Sequence, residues 1–317
     1  MCSLPVSHRA RAQAASSPTA RVSMRPDPMS RANPQTVKRC RVSGGQSDGA
    51  RYPGATDPAI TVRVLRQILL VIGLGIVEGP CHGDFSSHRA ESGFLQSLPE
   101  LLKNYLGMLV AFNQRNGAGK GIKLYPGSPL IAGHLLRKQD RVMAFEVHPT
   151  DHRLLRTTLA QAHSDAKLQM DRRNGFEGLI PLLPPVSRRG LVICDPSYEL
   201  KTDYADVVRM LSDALTRFAT GSMLIWYPIV GRSEAHDLPR KLKNAADKAG
   251  KDWLHATLQV RAGSSGQGPG GGLGASGVFV LNPPYTLKAQ LEEALPVLVK
   301  LLGQDKFAAQ KLEAKIR

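Results

Sequence analysis

From Arg141 onward the chain alternates strand-length apolar runs with helix-length amphipathic stretches. Few folds accommodate that order, because strands separated by helices assemble into a mostly parallel sheet covered on both faces. The expected strands are Val142–Val147, Leu191–Cys194, Met223–Val230, Ala256–Arg261 and Val278–Leu281. The expected helices are Asp151–His163, Asp203–Phe218, Ala235–Ala249 and Leu287–Leu302. In Asp203–Phe218, Val207, Leu211, Leu215 and Phe218 recur at helical spacing and define one buried face. Ser264–Gly274 is a glycine-rich loop, either a lid or a slack connection. Further upstream, Ile68–Gly75 reads as a buried strand entering a tight turn, and residues 94–112 as a helix broken or kinked around Pro99. Tyr125-Pro-Gly-Ser-Pro129 opens another helix, with Ser128 at the N-cap, Pro129 in the first helical position and Leu130, Ile131, Leu135 and Leu136 as its apolar stripe.

Charge divides the chain. Residues 1–66 hold eleven Lys or Arg against three acids, a large share of the formal net charge of +16. Residues 1–60 have no apolar periodicity and too little apolar surface to offset ordering entropy, so they are expected to be a disordered basic extension. An artefactual or non-functional tail is the preferred reading over a targeting segment. Residues 61–317 form the expected folded domain, with a helical insertion at about 90–120. The rest of the chain is also basic, which favours phosphate-rich partners. The four cysteines (Cys2, Cys40, Cys81, Cys194) have no metal-ligand spacing, and Cys194 lies in an apolar run, which points to a reducing compartment. His148 and His152 have helical spacing but no third ligand nearby, so no metal is expected. The longest apolar stretch, Ile68–Val77, is about half of a membrane span. A cytoplasmic monomer is expected.

The chemistry converges on three loops at the carboxyl edge of the sheet, where open α/β folds bind ligands. Leu191-Val-Ile-Cys-Asp-Pro-Ser-Tyr198 delivers an acid and an aromatic ring to one strand end. Asp195 and the Pro196 carbonyl can both accept hydrogen bonds from an exocyclic amine, and Tyr198 can stack on a flat heterocycle. Such a set suits a nucleobase taken out of its stack. Glu146, at the end of Val142–Val147, is either a holder of a ribose diol or a surface glutamate. Asn174-Gly175 is either a plain turn or a reader of an adenine edge. Asn282-Pro-Pro-Tyr285 also ends a strand and is nominally closer to an amino-methyltransferase signature. Asp195 is favoured because it follows Glu146 by 49 residues, about two strand–helix units, whereas Asn282 falls where an antiparallel hairpin usually closes the sheet. Gly73-Leu-Gly75 lacks the third glycine of a dinucleotide fingerprint.

Over residues from about 84 to 290 the chain resembles the RlmJ family of adenine-N6 methyltransferases acting on 23S ribosomal RNA. The stretches that carry the resemblance are Tyr125-Pro-Gly-Ser-Pro-Leu-Ile-Ala132, Glu146-Val-His-Pro149, Leu183-Pro-Pro-Val-Ser-Arg-Arg-Gly190, Asp195-Pro-Ser-Tyr-Glu199, Lys201-Thr-Asp-Tyr204, Arg217-Phe-Ala-Thr-Gly221, Trp226-Tyr-Pro228 and Asn282-Pro-Pro284, in that order. The resemblance implies a class I, Rossmann-like methyltransferase fold with a small helical insertion, S-adenosylmethionine as cofactor and 23S ribosomal RNA as partner. By the same resemblance, Ser128, Glu146, Asn174, Gly175 and Asp195 contact the cofactor. Asp195 is the catalytic residue, and Pro196 and Tyr198 hold the adenine.

The chain departs from the family at three places. The window Gly75-Ile-Val-Glu-Gly-Pro-Cys81 stands where the family has an Asp-Thr-His-Ala-Gly-Ala-Gly type cofactor loop, and the family-like register resumes near Asp84. A shifted reading frame or wrong gene model over residues 1 to about 83 would explain both the window and the tail composition, with true divergence as the alternative. Ser197 replaces a second proline, and Asn174 replaces an aspartate. The alternatives are a catalytically impaired RNA-binding homologue or an adenine-N6 methyltransferase acting on DNA.

Overall fold

Pro99 sets the first boundary. The computed structural model describes residues 96–117, 122–124, 126–161, 164, 166–263 and 273–317. Within them helix α1 spans Glu100–Arg115, with Pro99 at its N-cap and Glu100 in its first turn, where an acid complements the helix dipole. Residues 96–97 are also helical, so the helical stretch is broken at Leu98–Pro99, as the sequence reading allowed, and Pro99 starts the second piece. The expectations for residues 1–60, Ile68–Gly75 and the window 75–81 lie outside the described residues, as do Tyr125 and most of the loop 264–274.

Helix α2 spans Ser128–Leu135. Gly127 is its N-cap and Ser128 is already helical, one position later than the sequence reading places it, and no side chain caps the helix. Asn113, fully buried on α1, organises the approach to α2. Its Oδ1 accepts from the backbone N–H groups of Lys123 (2.8 Å) and Leu124 (2.7 Å). Its Nδ2 donates to the carbonyls of Leu109 (2.9 Å) and Leu124 (2.8 Å). A buried amide with both ends satisfied is stable where a half-satisfied one is costly.

The remaining elements follow in the order β1 (Arg141–Phe145), α3 (Pro149–Gln161), β2 (Lys167–Asp171), α4 (Gly175–Leu179), a 3-10 turn (Ile180–Leu182), β3 (Leu191–Cys194), α5 (Thr202–Arg217), β4 (Ser222–Pro228), α6 (Ser233–Lys248), β5 (Trp253–Gln259), β6 (Ala275–Leu281), α7 (Leu287–Leu302) and β7 (Ala309–Lys315). Strands β2 and β7 are not among the sequence expectations. Lys-Leu-Gln-Met-Asp is only partly buried, and Ala-Gln-Lys-Leu-Glu-Ala-Lys is a charged edge strand. Neither has an apolar run, and charge on an exposed edge blocks unwanted pairing.

Strands β1 and β2 pair in parallel, and a second sheet has the order β3-β4-β6-β5-β7. In it β3 and β4 are parallel, β6 runs antiparallel between β4 and β5, and β7 runs antiparallel to β5. The expectation of a mostly parallel sheet is thus corrected: β3, β4 and β5 point one way, but the ladders that join β4 to β5 pass through a reversed strand.

Alternation along β3 shows how the sheet is covered. Leu191 and Ile193 join a buried cluster with Leu101 and Leu109 of α1 and Leu291 and Leu298 of α7. Val192 and Cys194 join another with Val207 and Leu211 of α5 and Leu238 and Leu242 of α6. Both faces are therefore buried under helices, as an α/β fold of the Rossmann-like methyltransferase type requires.

Candidate active site

The last residues of β1 and β3, Phe145 and Cys194, lie in the same buried cluster. The residues that follow them are Glu146 and Asp195, one after each strand. Helix α2 brings Ser128 to this edge as well. Leu130 packs with Ala144 near the end of β1, while the Gly133 carbonyl accepts the Ser164 hydroxyl (2.7 Å) just before β2 begins. So α2 runs against β1, and its N-terminal turn faces the carboxyl edge.

Glu146 is only 5% exposed, which removes the surface-glutamate alternative. Its Oε1 accepts from the His148 backbone N–H (2.9 Å), and its own N–H extends the β1–β2 ladder to the Asp171 carbonyl (3.2 Å). The second carboxylate oxygen has no partner among the described residues. A buried acid with one open oxygen is suited to a ligand donor such as a hydroxyl.

Asn174 is more than a turn residue. It is the N-cap of α4, and its Oδ1 accepts from the Phe176 N–H (2.9 Å), with Gly175 as the first helical residue. That bond uses one of the two lone pairs of Oδ1, and Nδ2 is a further donor able to meet a ring nitrogen. Helix α4 lies flush on β1: a Cβ added at Gly178 would sit 2.5 Å from Cε1 of Phe145. The Arg173 guanidinium lies 5.4 Å from the Phe145 ring centre and pairs with Asp171 at 2.8 Å. The ends of β1 and β2 thus form a charged, rigid wall beside Glu146.

The Asp195 loop is held from behind. Asp195 is half-buried, Pro196 buried and Ser197 exposed. Tyr198 has φ +54°, and this backbone turn sends its ring inward. It is 3% exposed, packs 4.7 Å from Tyr204 and 6.2 Å from Trp226, and donates its hydroxyl to the Trp226 carbonyl at 2.6 Å. The expectation that this ring stacks on a base is corrected: both its face and its hydroxyl are used in the core. Nη1 of Arg232 donates to the carbonyls of Tyr198 (3.0 Å) and Glu199 (3.1 Å), tying the loop to the start of α6.

Arg232, Tyr204 and Trp226 escape the sequence reading of the site. Tyr204 and Trp226 lie in stretches that carry the family resemblance, which was the available signal; a lone Arg before a helix carries none. The Tyr204 hydroxyl and Trp226 Nε1 are buried without hydrogen-bond partners among the described residues. Burial pushes the Tyr204 phenol above its ordinary pKa, so it remains a donor.

Asn282 sits at the other end of the sheet, because β6 runs against β4 and Leu281 pairs with Met223. Its Nδ2 donates to the carbonyls of Ala219 (3.1 Å) and Gly221 (2.8 Å), closing the turn before β4. The choice of Asp195 over Asn282 on position agrees with this placement. No group of three or more His, Cys, Asp or Glu among the described residues could hold a metal, and His148 instead faces Asp151 at 3.6 Å. No helix among the described residues is long and apolar enough to cross a membrane.

Comparison with known proteins is consistent with this architecture. A crystal structure of a Legionella pneumophila protein carrying the family model DUF519 superposes with a TM-score of 0.61, at 24% identity over 84% of this chain and 99% of that one. A Haemophilus influenzae protein named ribosomal RNA large subunit methyltransferase J is 41% identical over 205 residues, covering 65% of this chain and 68% of its own. An Escherichia coli K12 protein of the same name is 38% identical over 201 residues, 63% of this chain and 67% of its own. The family model described as "Ribosomal RNA large subunit methyltransferase D, RlmJ" matches residues 94–313. With that match spanning most of the chain, the protein belongs to the RlmJ methyltransferase family.

Proposed function

We propose that this protein methylates N6 of an adenine in large-subunit (23S) ribosomal RNA, using S-adenosylmethionine, with Asp195 as the catalytic residue. The observation that carries the reading is that Glu146 and Asp195 each directly follow a strand, β1 and β3, whose last residues Phe145 and Cys194 share one buried cluster. The cofactor fits the described residues at its nucleoside end. Glu146 is buried with an open oxygen for a ribose hydroxyl, Asn174 Nδ2 is available to an adenine ring nitrogen, and Ser128 heads the facing helix. When bound, the cofactor supplies an electrophilic methyl group.

The protein's part is to prepare the nucleophile. An adenine amine is weakly nucleophilic because its lone pair is delocalised into the ring. Acceptors at the Asp195 carboxylate and the Pro196 carbonyl draw the amine toward a tetrahedral arrangement and localise that pair. The same acceptors stabilise positive charge as it develops on nitrogen, an electrostatic role typically worth factors of about 10²–10³. The surplus proton then leaves to Asp195 or to solvent. Tyr198 contributes by fixing the loop, and Arg232 holds the carbonyls on the far side of the turn.

A test compares wild type with Asp195→Ala in transfer of labelled methyl to unmodified large-subunit ribosomal RNA. The variant should lose about 10²-fold or more in kcat with its melting temperature retained. Equal activity of the two proteins would end the proposal. A second reading, an RNA-binding homologue without methyl transfer, is favoured by one sequence feature: Gly75–Cys81 lacks the aspartate, the histidine and the final glycine of the family loop. A thermal-shift titration separates the two, since cofactor binding raises the melting temperature by mass action and its absence leaves the temperature unchanged.

A further inference from the structure

The edge of the sheet opposite Asp195 has a character of its own. The five-stranded ladder brings Leu191, Ser222, Trp253, Leu281 and Lys315 to one end, and the segments around them carry cations. Arg188 precedes β3, Arg217 precedes β4, Lys251 precedes β5, and Arg317 follows the antiparallel β7. Backbone contacts hold these segments together. Ser222 N–H donates to the Gly190 carbonyl, Asn282 N–H to the Asp252 carbonyl, and Arg317 Nη1 to the Gly250 carbonyl. Arg188 and Arg217 are exposed and Lys251 half-exposed, and none of the three forms an ion pair with a described residue. Of the acids nearby, Asp252 accepts the Arg317 N–H and Glu292 pairs with Lys288, while Asp213, one turn before Arg217 on α5, is exposed and forms no ion pair with a described residue.

Four residues beyond the end of β6 at this edge stands Tyr285, 89% exposed, the most exposed large hydrophobic residue described. The Asn282 bonds to Ala219 and Gly221 fix the turn that carries it between the starts of β4 and β5. The methyl-transfer reading uses neither this ring nor these cations. An exposed aromatic ring on the same sheet edge as unpaired cations is a combination that binds single-stranded nucleic acid, by base stacking and phosphate neutralisation.

We propose that this amino edge, centred on Tyr285 with Arg188, Arg217 and Lys251, is a second RNA-binding surface. It rests on the ribosomal RNA reading for the identity of the partner but not for its own chemistry. A strand of seven residues separates the two edges by roughly 20 Å. The surface therefore engages a part of the RNA distant from the target base, and only an RNA long enough to reach around the sheet gains from it.

The test measures binding of the full chain, without cofactor, to two labelled unmodified RNAs: a large-subunit ribosomal RNA domain, and a hairpin too short to span both edges. Arg188→Glu/Arg217→Glu/Lys251→Glu should weaken binding of the long RNA by tenfold or more and reduce the salt dependence by about two to three units of log–log slope. Tyr285→Ala should weaken it by about fivefold or more, and Tyr285→Phe should restore it. The short hairpin should bind all variants equally, and circular dichroism should show each folded. Unchanged long-RNA binding by the folded variants overturns the proposal, as does equal loss for both RNAs. A wild-type protein that transfers no methyl yet shows the patch-dependent binding counts against the methyl-transfer reading alone. Methyl transfer with variants that bind like wild type counts against the second surface alone.

Discussion

Tyr198 is the residue whose role the structure changes most. From sequence it is a stacking platform; in the fold it is a buried brace whose hydroxyl reaches the Trp226 carbonyl at 2.6 Å. Removing that hydroxyl leaves the carbonyl unpartnered, which costs about 1 kcal/mol. Tyr198→Phe should therefore lower the melting temperature by about 2–4 °C, while RNA affinity stays unchanged. An unchanged melting temperature with weakened RNA binding would return the ring to the stacking role. Arg232 acts on the same loop through one nitrogen shared by two carbonyls. Arg232→Ala should release the turn and misplace Asp195, a displacement able to cost about 10²-fold in rate. Arg232→Lys should recover most of it, because a single nitrogen suffices. Kinetics on the two variants check this, and equal rates for Ala and Lys would show that the clamp is irrelevant.

At the scale of elements, α4 is the piece that converts packing into a binding wall. It is only five residues long, so its position is set by what it touches rather than by its own propensity. Gly178 lets it lie on the Phe145 ring, and a methyl there would have to push the ring or the helix away. Gly178→Ala should cost about 1–3 kcal/mol by overpacking. It should also weaken cofactor binding, because the helix carries Asn174 and the ring precedes Glu146. Thermal shift with and without S-adenosylmethionine reads both effects. Loss of stability with undiminished cofactor affinity would mean that α4 is not part of the pocket.

Over the whole molecule, pH acts on stability through the far flank. His255 on β5 is buried, hydrogen-bonded to the Tyr227 hydroxyl at 2.7 Å and facing Glu313 on β7 at 3.4 Å. Desolvation, followed by the nearby Lys243, lowers its pKa from the ordinary 6.5 to about 4. The hydrogen bond from Lys243 is the leading cause that holds the Glu313 carboxyl down at about 2. In the unfolded chain the histidine takes a proton near pH 6.5, which the folded state refuses until about 4. Stability is thus complete above pH 6.5 and declines as pH falls toward 4, by up to about 3 kcal/mol from this group. Glu313 adds a further decline below about pH 4.5, where an unfolded carboxylate protonates and the folded one does not. Melting curves from pH 8 to 4.5 should fall steadily for wild type and more shallowly for His255→Gln. Parallel curves would exclude the histidine as the source.

The sequence by itself determined the strand–helix alternation, the two covered faces of β3 and the identity of Asp195 and Glu146 as strand-end acids. These depend on local periodicity and on runs of apolar residues, which a linear chain displays directly. It did not reveal β2 or β7, whose partly buried, charged strands have no periodicity that separates them from loops. Tertiary structure alone decided that Tyr198 points inward and that Arg232 grips its carbonyl. A side chain's direction and a clamp from a residue 34 positions away are set by neighbours distant in sequence, and short-range patterns carry no record of them.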